Sequence, residues 1–239
     1  MVRNAIDISG YDFLDFGCSR GGSIDFARRA LDGKRGLGLD IDERKVRRAQ
    51  EAGFEAIVAD VTRSQLQGTV RFVLLSHFLE HLPSMDAVTV SIATAIRCAR
   101  EFVLVQQPYF DADGYLFEHG LKLSWSDWSS HTAHITSLQL YSILKRFEAD
   151  GQVKRFLIGR RMRVRDSRDP LILPVQSGRD QLAWDADKHS IKPDLLFDFP
   201  VFREIFALAL VDSERIGAEL ELYMRKKEGE TVFDSGSPA

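Results

Sequence analysis

Three aspartates stand where short apolar runs of the first 60 residues end. Asp15 lies in FLDF before a glycine-rich turn, Asp40 ends GLGLD and Asp60 follows IVA. In a parallel sheet the carboxyl ends of neighbouring strands open on one crevice, so these carboxylates are expected to converge. A carboxylate accepts two hydroxyl protons at once, which suits a ribose diol, and it also accepts from an exocyclic amine. The alternative for Asp40 is a cap on the helix that follows it, although Asp42 is better placed for that role. The alternative for Asp60 is a cap on a helix from Thr62 onward.

The glycine-rich turn lies within residues 11–22, YDFLDFGCSRGG, between a predicted strand and a helix that opens at Ser23. Gly17, Gly21 and Gly22 permit a tight turn and the close approach of a ligand to the backbone. The helix start presents free N–H groups and the positive end of its dipole to the turn. The turn therefore predicts a nucleotide-cofactor site and leaves the cofactor's identity open.

The elements that must position these residues alternate between strand and helix over the first 160 residues. Nearly continuous apolar strands joined by helices predict a doubly wound, mostly parallel α/β sheet covered on both faces. The predicted strands are 11–16, 36–40, 54–59, 70–75, 101–105, 153–164 and 203–211, and the predicted helices are 23–31, 42–52, 85–100 and 137–149, with Ser137 as the cap of the last.

The rest of the chain is less regular, and we expect one domain over residues 1–224. Residues 106–136 are polar and aromatic and predict a lid or acceptor loop. Residues 166–200 carry four of the seven prolines and predict an irregular insertion, and residues 214–224 fit either a helix or a strand extension. Residues 225–239 predict a flexible polar tail.

Composition limits the class of protein. The net charge of −3 gives no bulk positive field, so nucleic acid is not an expected partner. Cys18 and Cys98 do not look like a disulfide framework, which favours a reduced, cytoplasmic compartment. There is no apolar run of about 18 residues, so no membrane span is expected.

The runs DFGCSRGG, GLGLDID, VADV and LLSHFLEHLP, in this order, resemble the motif set of class I S-adenosylmethionine-dependent methyltransferases, in their small-molecule branch. The resemblance covers about residues 11–150, and its most specific part is Glu80-His81-Leu82-Pro83 after the fourth strand. It departs from the family at Ser19, where the turn commonly has glycine. The resemblance implies a Rossmann-like methyltransferase fold with a late antiparallel strand, for which REIFALALV at 203–211 is the candidate.

The resemblance also implies S-adenosylmethionine as the cofactor and assigns residues to its parts. Asp15 and the turn would hold the methionine end, Asp40 the ribose, Asp60 with Val61 the adenine, and His77 or Phe78 would lie beside the sulfonium. The cofactor-binding candidates are Asp15, Gly17, Cys18, Ser19, Gly21, Asp40, Ile41, Asp60, Val61, His77 and Phe78.

His131 and His134 are the candidate catalytic bases. They precede a predicted helix in WSSHTAHITS, which resembles the family's substrate-side segment after the fifth strand. Imidazole titrates near neutral pH, which suits the removal of a hydroxyl proton. The alternative is a pair of solvated loop histidines. Three spaced histidines also raise the question of a metal, but without a second cluster at ligand spacing we expect none.

Three further residues are candidates for binding the acceptor. His81 follows Glu80 directly, with a capping or core histidine as its alternative. Tyr109 comes immediately after the fifth strand and Pro108. Arg161 would share a strand face with Arg163 and Arg165, where it could grip a phosphate or carboxylate. The alternative for these arginines is a solvated face that protects an edge strand.

The function predicted from these features is methyl transfer to a small organic acceptor. The two histidines favour transfer to oxygen, as in the hydroxyl of a sugar, a nucleotide-linked compound or another small metabolite. Two alternatives stay open. A nicotinamide oxidoreductase would use the same turn, where Gly17, Ser19 and Gly22 meet two of three fingerprint positions. A non-catalytic S-adenosylmethionine-binding protein needs only the cofactor site. Because only ten residues precede the first strand, a homodimer that completes the cofactor site is also expected.

Overall fold

The computed structural model describes residues 5–213, 217–225 and 229–236. Twelve strands and six α-helices alternate through these residues, with a 3-10 helix at Leu79–His81. The strands are β1 (Ile6–Asp7), β2 (Phe13–Phe16), β3 (Gly36–Asp40), β4 (Glu55–Val58), β5 (Leu66–Gln67), β6 (Val70–Ser76), β7 (Ala99–Pro108), β8 (Leu121–Leu123), β9 (Arg155–Asp166), β10 (Ile172–Pro174), β11 (Leu196–Leu210) and β12 (Glu230–Asp234). The helices are α1 (Gly22–Ala30), α2 (Glu43–Glu51), α3 (Met85–Cys98), α4 (Asp113–Glu118), α5 (Ser137–Ala149) and α6 (Ala218–Arg225).

One eight-stranded sheet organises the chain, in the order β12-β9-β11-β7-β6-β2-β3-β4. The five strands from β7 to β4 are parallel, whereas β11 runs antiparallel to both β7 and β9. The predicted doubly wound α/β sheet with a late antiparallel strand is therefore confirmed. The strand order reverses between β2 and β6, so the carboxyl ends of these two strands border the crevice where such folds bind ligands.

Helices cover both faces of this sheet. One apolar core packs α1, α2 and α6 against the sheet through residues such as Ile24, Val46 and Leu220. The other packs α3 and α5 through Ile92 and Leu140. All four residues of β2 are buried, as expected for a central parallel strand.

Helix capping agrees with the sequence at α2 and differs at α5. The Asp42 carboxylate accepts from the Arg44 amide, as predicted for the better cap. The cap of α5 is Thr136, not Ser137, because Thr136 and Gln139 form a reciprocal capping box. The Ser137 hydroxyl instead binds the Asp111 carboxylate.

The two irregular regions contain short elements that pair with each other. Residues 106–136 include α4 and β8, residues 166–200 include β10, and β8 pairs antiparallel with β10. Strands of three residues are too short to show an alternation of apolar and polar residues, so the sequence did not predict them. Among the described residues, no helix has the length and apolarity that crossing a bilayer requires.

The prediction of a flexible tail over residues 225–239 is wrong for the part that forms β12. This strand pairs antiparallel with β9, and the Phe233 ring packs on Tyr141 and Phe156 at centroid distances of 4.8 and 5.2 Å. Asp234 also bonds Arg155. Residues 226–228 and 237–239 of the predicted tail lie outside the described residues.

Candidate functional site

The glycine-rich turn after β2 has the backbone geometry that its sequence predicts. Gly17 has φ 73° and Gly21 has φ 90°, a region open mainly to glycine. Ser19 takes φ 49° although it has a side chain, and its amide donates to Asp40 Oδ2 at 3.0 Å. This bond holds Ser19 in the turn conformation, at the position where the turn commonly has glycine.

Replacing Gly17 by alanine is expected to lower the free energy of unfolding by about 2 kcal/mol, because the site combines a positive φ with a clash. A Cβ there would lie 2.4 Å from the Phe78 ring. Gly22→Ala is the matched control, since a Cβ at Gly22 meets no atom within 4 Å. Urea denaturation of both variants measures the difference. Equal losses of stability in the two variants would contradict this account of the turn.

A cavity of about 640 Å³ opens beside this turn, and we call it the glycine-turn cavity. Its volume lies within the range of small-molecule sites, roughly 300–1,000 Å³. Nine of the eleven predicted cofactor-binding residues line it, and only Asp15 and Gly21 do not. The nine are Gly17, Cys18, Ser19, Asp40, Ile41, Asp60, Val61, His77 and Phe78.

The carboxylates of Asp40 and Asp60 reach this cavity from adjacent strand ends. Asp40 is 7 % exposed, and its two oxygens accept from the amides of Ser19 and Asp42 at 3.0 and 2.9 Å. Asp60 Oδ1 accepts from both the amide and the hydroxyl of Thr62. Asp60 therefore caps the following turn, which was its alternative role, and also lines the cavity.

Asp15 lies behind the turn and is completely buried. Its Oδ2 accepts from the Ser23 hydroxyl, and its Oδ1 has no hydrogen-bond partner among the described residues. Burial raises the pKa of Asp15 to about 7, with a contribution from the Asp40 charge and against the bond from Ser23. A group with this pKa is only partly ionised at neutral pH, and a cationic ligand nearby would favour its charged form.

Replacing Asp15 by asparagine is expected to stabilise the ligand-free protein at pH 8 by about 1–3 kcal/mol, with no such gain near pH 4. The pKa of Asp15 is raised on folding, so its contribution to stability is complete below the unfolded pKa and is lost as pH rises through about 7. Chemical denaturation of both proteins from pH 4 to 8 measures the gap. A gap that does not grow with pH would contradict the raised pKa.

A second cavity of about 430 Å³ adjoins the first, and we call it the tryptophan cavity. His77 and His81 line both cavities. The tryptophan cavity has aromatic and aliphatic walls. We call the part lined by His77, Glu80, His81, His131 and Glu204 its polar side. The other residues that line this cavity are Glu80, Pro108, Ser124, Trp125, Trp128, His131, Met162, Leu171, Leu182, Arg203 and Glu204.

The structure separates the two predicted catalytic histidines. His131 lines the tryptophan cavity, its Nδ1 donates to the Trp125 carbonyl at 3.1 Å, and burial lowers its pKa. His134 lines neither cavity. Its ring stacks on Phe110 at 4.4 Å, and its Nδ1 lies 3.6 Å from the Asp113 carboxylate. Only His131 is therefore placed as a base toward a ligand in this cavity.

Of the three predicted acceptor-binding residues, the structure brings only His81 to the cavities. Tyr109 is 1 % exposed and belongs to the core, where its hydroxyl donates to the Pro200 carbonyl. Arg161 is 2 % exposed, pairs with the Glu204 carboxylate, and lies 4.4 Å from the centroid of the Tyr223 ring. Both side chains are occupied within the protein and cannot reach a ligand. Met162, the next residue of β9, lines the tryptophan cavity instead.

Two glutamates for which the sequence predicts no role, Glu80 and Glu204, lie beside His77. His77 Nδ1 lies 3.5 Å from Glu80, and Nε2 lies 3.8 Å from Glu204. Burial opposes the charged imidazolium, but bonds to Glu204 and Glu80 prevail and raise the pKa of His77 to about 9. His77 is therefore a cation at neutral pH rather than a base. Glu80 was visible in the Glu80-His81-Leu82-Pro83 run, whereas nothing in REIFALALV marks Glu204.

Comparisons with known proteins agree with this architecture. Residues 14–100 match the family model of a methyltransferase domain. The fold is similar to that of a SAM-dependent methyltransferase from Archaeoglobus fulgidus, with a TM-score of 0.55, 14% identity and 87% of each chain covered. The sequence has no significant match among curated proteins.

Two further solved structures share the fold. The YcgJ protein from Bacillus subtilis gives a TM-score of 0.57 at 11% identity, with 88% of this chain and 95% of that chain covered. A SAM-dependent methyltransferase from Methanosarcina mazei gives a TM-score of 0.50 at 14% identity, with 88% and 94% covered. At these identities the structural likeness establishes the fold alone.

Proposed function

We propose that this chain methylates a small organic acceptor at oxygen. It is a class I S-adenosylmethionine-dependent methyltransferase, and its methyltransferase domain includes residues 14–100. The observation that carries the proposal is the junction of the two cavities at His77 and His81. The glycine-turn cavity would hold the cofactor and the tryptophan cavity the acceptor. Donor and acceptor then meet at the carboxyl end of β6.

The residues of the glycine-turn cavity suit the parts of S-adenosylmethionine. The turn would hold the methionine end, and the buried Asp15 would support it from behind through its bond from Ser23, which lines the cavity. Asp40 would accept from the ribose hydroxyls. Asp60 and the Val61 amide would bind the adenine, and Phe78 would lie beside the sulfonium. Methyl transfer from a sulfonium expels a neutral thioether, so the protein mainly orients the two reactants and excludes water.

Methylation at a hydroxyl also requires that the acceptor lose a proton. His131 and His81 stand on the polar side of the tryptophan cavity, and their rings are 5.0 Å apart. This placement supports oxygen over an acceptor atom that has no proton to lose. Trp125, Trp128 and Met162 supply walls for an apolar or ring-bearing part of the acceptor.

The first test is isothermal titration of the protein with S-adenosylhomocysteine, with NADH as the comparison. We expect micromolar binding of S-adenosylhomocysteine and none of NADH. Binding of NADH alone would favour the oxidoreductase that the turn also permits. Turnover is then sought with radiolabelled S-adenosylmethionine and a panel of hydroxylated sugars, nucleotide-linked sugars and phenols.

Replacing His131 by alanine is expected to lower turnover by about 100-fold, the typical contribution of a group that handles a proton in the transition state. His134→Ala is expected to stay within about twofold, because His134 lies outside both cavities. Both variants should keep their affinity for S-adenosylhomocysteine. Equal turnover in the two variants would count against methylation at oxygen with His131 in this role.

We also propose a small-molecule acceptor rather than nucleic acid, and a reduced compartment such as the cytoplasm. Both cysteines are buried and free, which is consistent with such a compartment. A homodimer that completes the cofactor site stays part of this proposal. Light scattering with and without S-adenosylhomocysteine tests it, and a monomer in both conditions would reject it.

A further inference from the structure

Glu80, His81 and His131 form a compact cluster on the polar side of the tryptophan cavity. Each offers one potential metal-ligand atom, and these three atoms lie within 4.8 Å of one another. Glu80 and His81 belong to the 3-10 helix after β6, whereas His131 precedes α5. The cluster therefore joins two segments that are about 50 positions apart.

Hydrogen bonds fix these two segments to each other. The Glu80 carbonyl accepts from the amides of Thr132 and Ala133 at 2.9 and 3.1 Å. The Thr132 hydroxyl donates to the Leu82 carbonyl at 2.6 Å. The position of the His131 ring relative to Glu80 is thus set by the fold, before any ligand binds.

In both imidazoles a backbone carbonyl engages the same ring nitrogen, Nδ1, which leaves Nε2 as the available ligand atom. His81 Nδ1 bonds the Ser130 carbonyl at 2.9 Å, and His131 Nδ1 bonds the Trp125 carbonyl at 3.1 Å. A carbonyl only accepts, so Nδ1 carries the hydrogen in each ring and a neutral ring keeps its lone pair on Nε2. Histidines that bind metals are typically held in this way by an outer carbonyl.

Glu80 gives an independent sign of a missing ligand. Its side chain is 1 % exposed, and its Oε2 is buried without a hydrogen-bond partner among the described residues. Its Oε1 lies 3.5 Å from His77. A buried carboxylate oxygen without a partner is unfavourable, and a cation beside it removes that penalty.

We infer that Glu80, His81 and His131 bind a divalent first-row transition-metal ion in the tryptophan cavity. Two imidazoles and one carboxylate are a ligand set that suits Zn²⁺, Co²⁺ or Fe²⁺ rather than Mg²⁺. Three protein ligands also leave a coordination position open toward the cavity. This inference replaces the sequence-based expectation that the protein holds no metal.

The chemical consequence rests on the proposed function, although metal binding itself does not. An acceptor hydroxyl in the open position would have a lowered pKa and lose its proton to water in the cavity. Its oxygen would then bond to the methyl carbon while the carbon–sulfur bond breaks and its electron pair stays on sulfur. His131 would then act on the acceptor proton through the metal that it holds, so the loss of turnover expected for His131→Ala is unchanged.

The test titrates Co²⁺ and Zn²⁺ into chelator-treated full-length protein, by calorimetry and by the visible absorption of Co²⁺. We expect one site per chain, with Mg²⁺ binding at least tenfold more weakly. Glu80→Gln and His131→Asn should each weaken Co²⁺ binding at least tenfold. His119→Asn is the matched control, since His119 also bonds a carbonyl through Nδ1 but lies outside the cluster.

The melting temperature of each variant checks that it folds, and S-adenosylhomocysteine is titrated in the same preparations. Absence of Co²⁺ and Zn²⁺ binding, or binding unchanged in both cluster variants, would overturn the inference. If S-adenosylhomocysteine binds and methyl transfer proceeds while neither Co²⁺ nor Zn²⁺ binds, the metal site fails while the proposed function stands. If the metal binds as expected but S-adenosylhomocysteine does not, the proposed function fails alone.

Discussion

Asp40→Ala is expected to weaken the binding of S-adenosylhomocysteine by about 10- to 150-fold, because hydrogen bonds to a charged group contribute about 1.5–3 kcal/mol. The carboxylate is buried at the end of β3, where it lines the glycine-turn cavity. Its two oxygens also hold the amides of Ser19 and Asp42. The variant would therefore lose both the proposed ribose contact and the support of the turn. Isothermal titration measures the change in affinity.

Asp40→Asn and Asp42→Ala separate these two effects. Asparagine keeps the shape of the side chain but replaces one acceptor by a donor, so affinity should still fall. Asp42 is an N-cap residue outside the cavity lining, so Asp42→Ala should lower the stability of the protein by about 1 kcal/mol and leave affinity unchanged. If Asp42→Ala weakens binding as much as Asp40→Ala, the ribose role of Asp40 is wrong.

Arg161→Met is expected to lower the free energy of unfolding by about 3 kcal/mol, the usual effect of removing one partner of a buried ion pair. Arg161 on β9 is the cross-strand neighbour of Glu204 on β11, and both side chains are under 10 % exposed. Without the guanidinium, His77 at 3.8 Å is the only ion-pair partner that Glu204 keeps within the described part of the chain. Urea denaturation measures the loss.

The double variant Arg161→Met with Glu204→Leu should recover most of that loss, because no unpaired charge then stays buried. Arg163→Met is the control on the same strand, since Arg163 is exposed, and it should change stability by less than about 0.5 kcal/mol. An Arg161→Met variant of unchanged stability with a raised KM for an acidic acceptor would restore Arg161 as a ligand-binding residue.

Most of the lining of the glycine-turn cavity was readable from the sequence because its geometry is local. A strand that ends in an acid, a glycine turn and a helix form one short unit, and the parallel sheet then aligns the ends of such units. Asp40, Asp60 and the residues after Gly17 reach one cavity for this reason. Asp15 and Gly21 do not line that cavity, since their positions along the chain do not specify which groups face it.

The residues that line the tryptophan cavity are set by pairings between distant parts of the chain, so the sequence did not reveal them. His131 and His134 are equivalent in sequence, but the bonds between Thr132 and the Glu80 segment bring only His131 to the cavity. Strand alternation predicts one shared face for Arg161, Arg163 and Arg165, but Arg161 is buried whereas the other two are exposed. Alternation also cannot reveal that Glu204 lies opposite Arg161 on β11. Tyr109 became a core residue because the chain around Pro200 closes over it.

The sequence by itself determined the α/β class, the order of the motifs around the glycine turn and the two carboxylates that reach its cavity, since each depends on short-range spacing. Only the tertiary structure decided which histidine lines the tryptophan cavity, which arginine is buried, and that Glu80, His81 and His131 converge. The physical reason is that local spacing fixes a side chain's direction along its own element, whereas its neighbours are fixed by long-range packing.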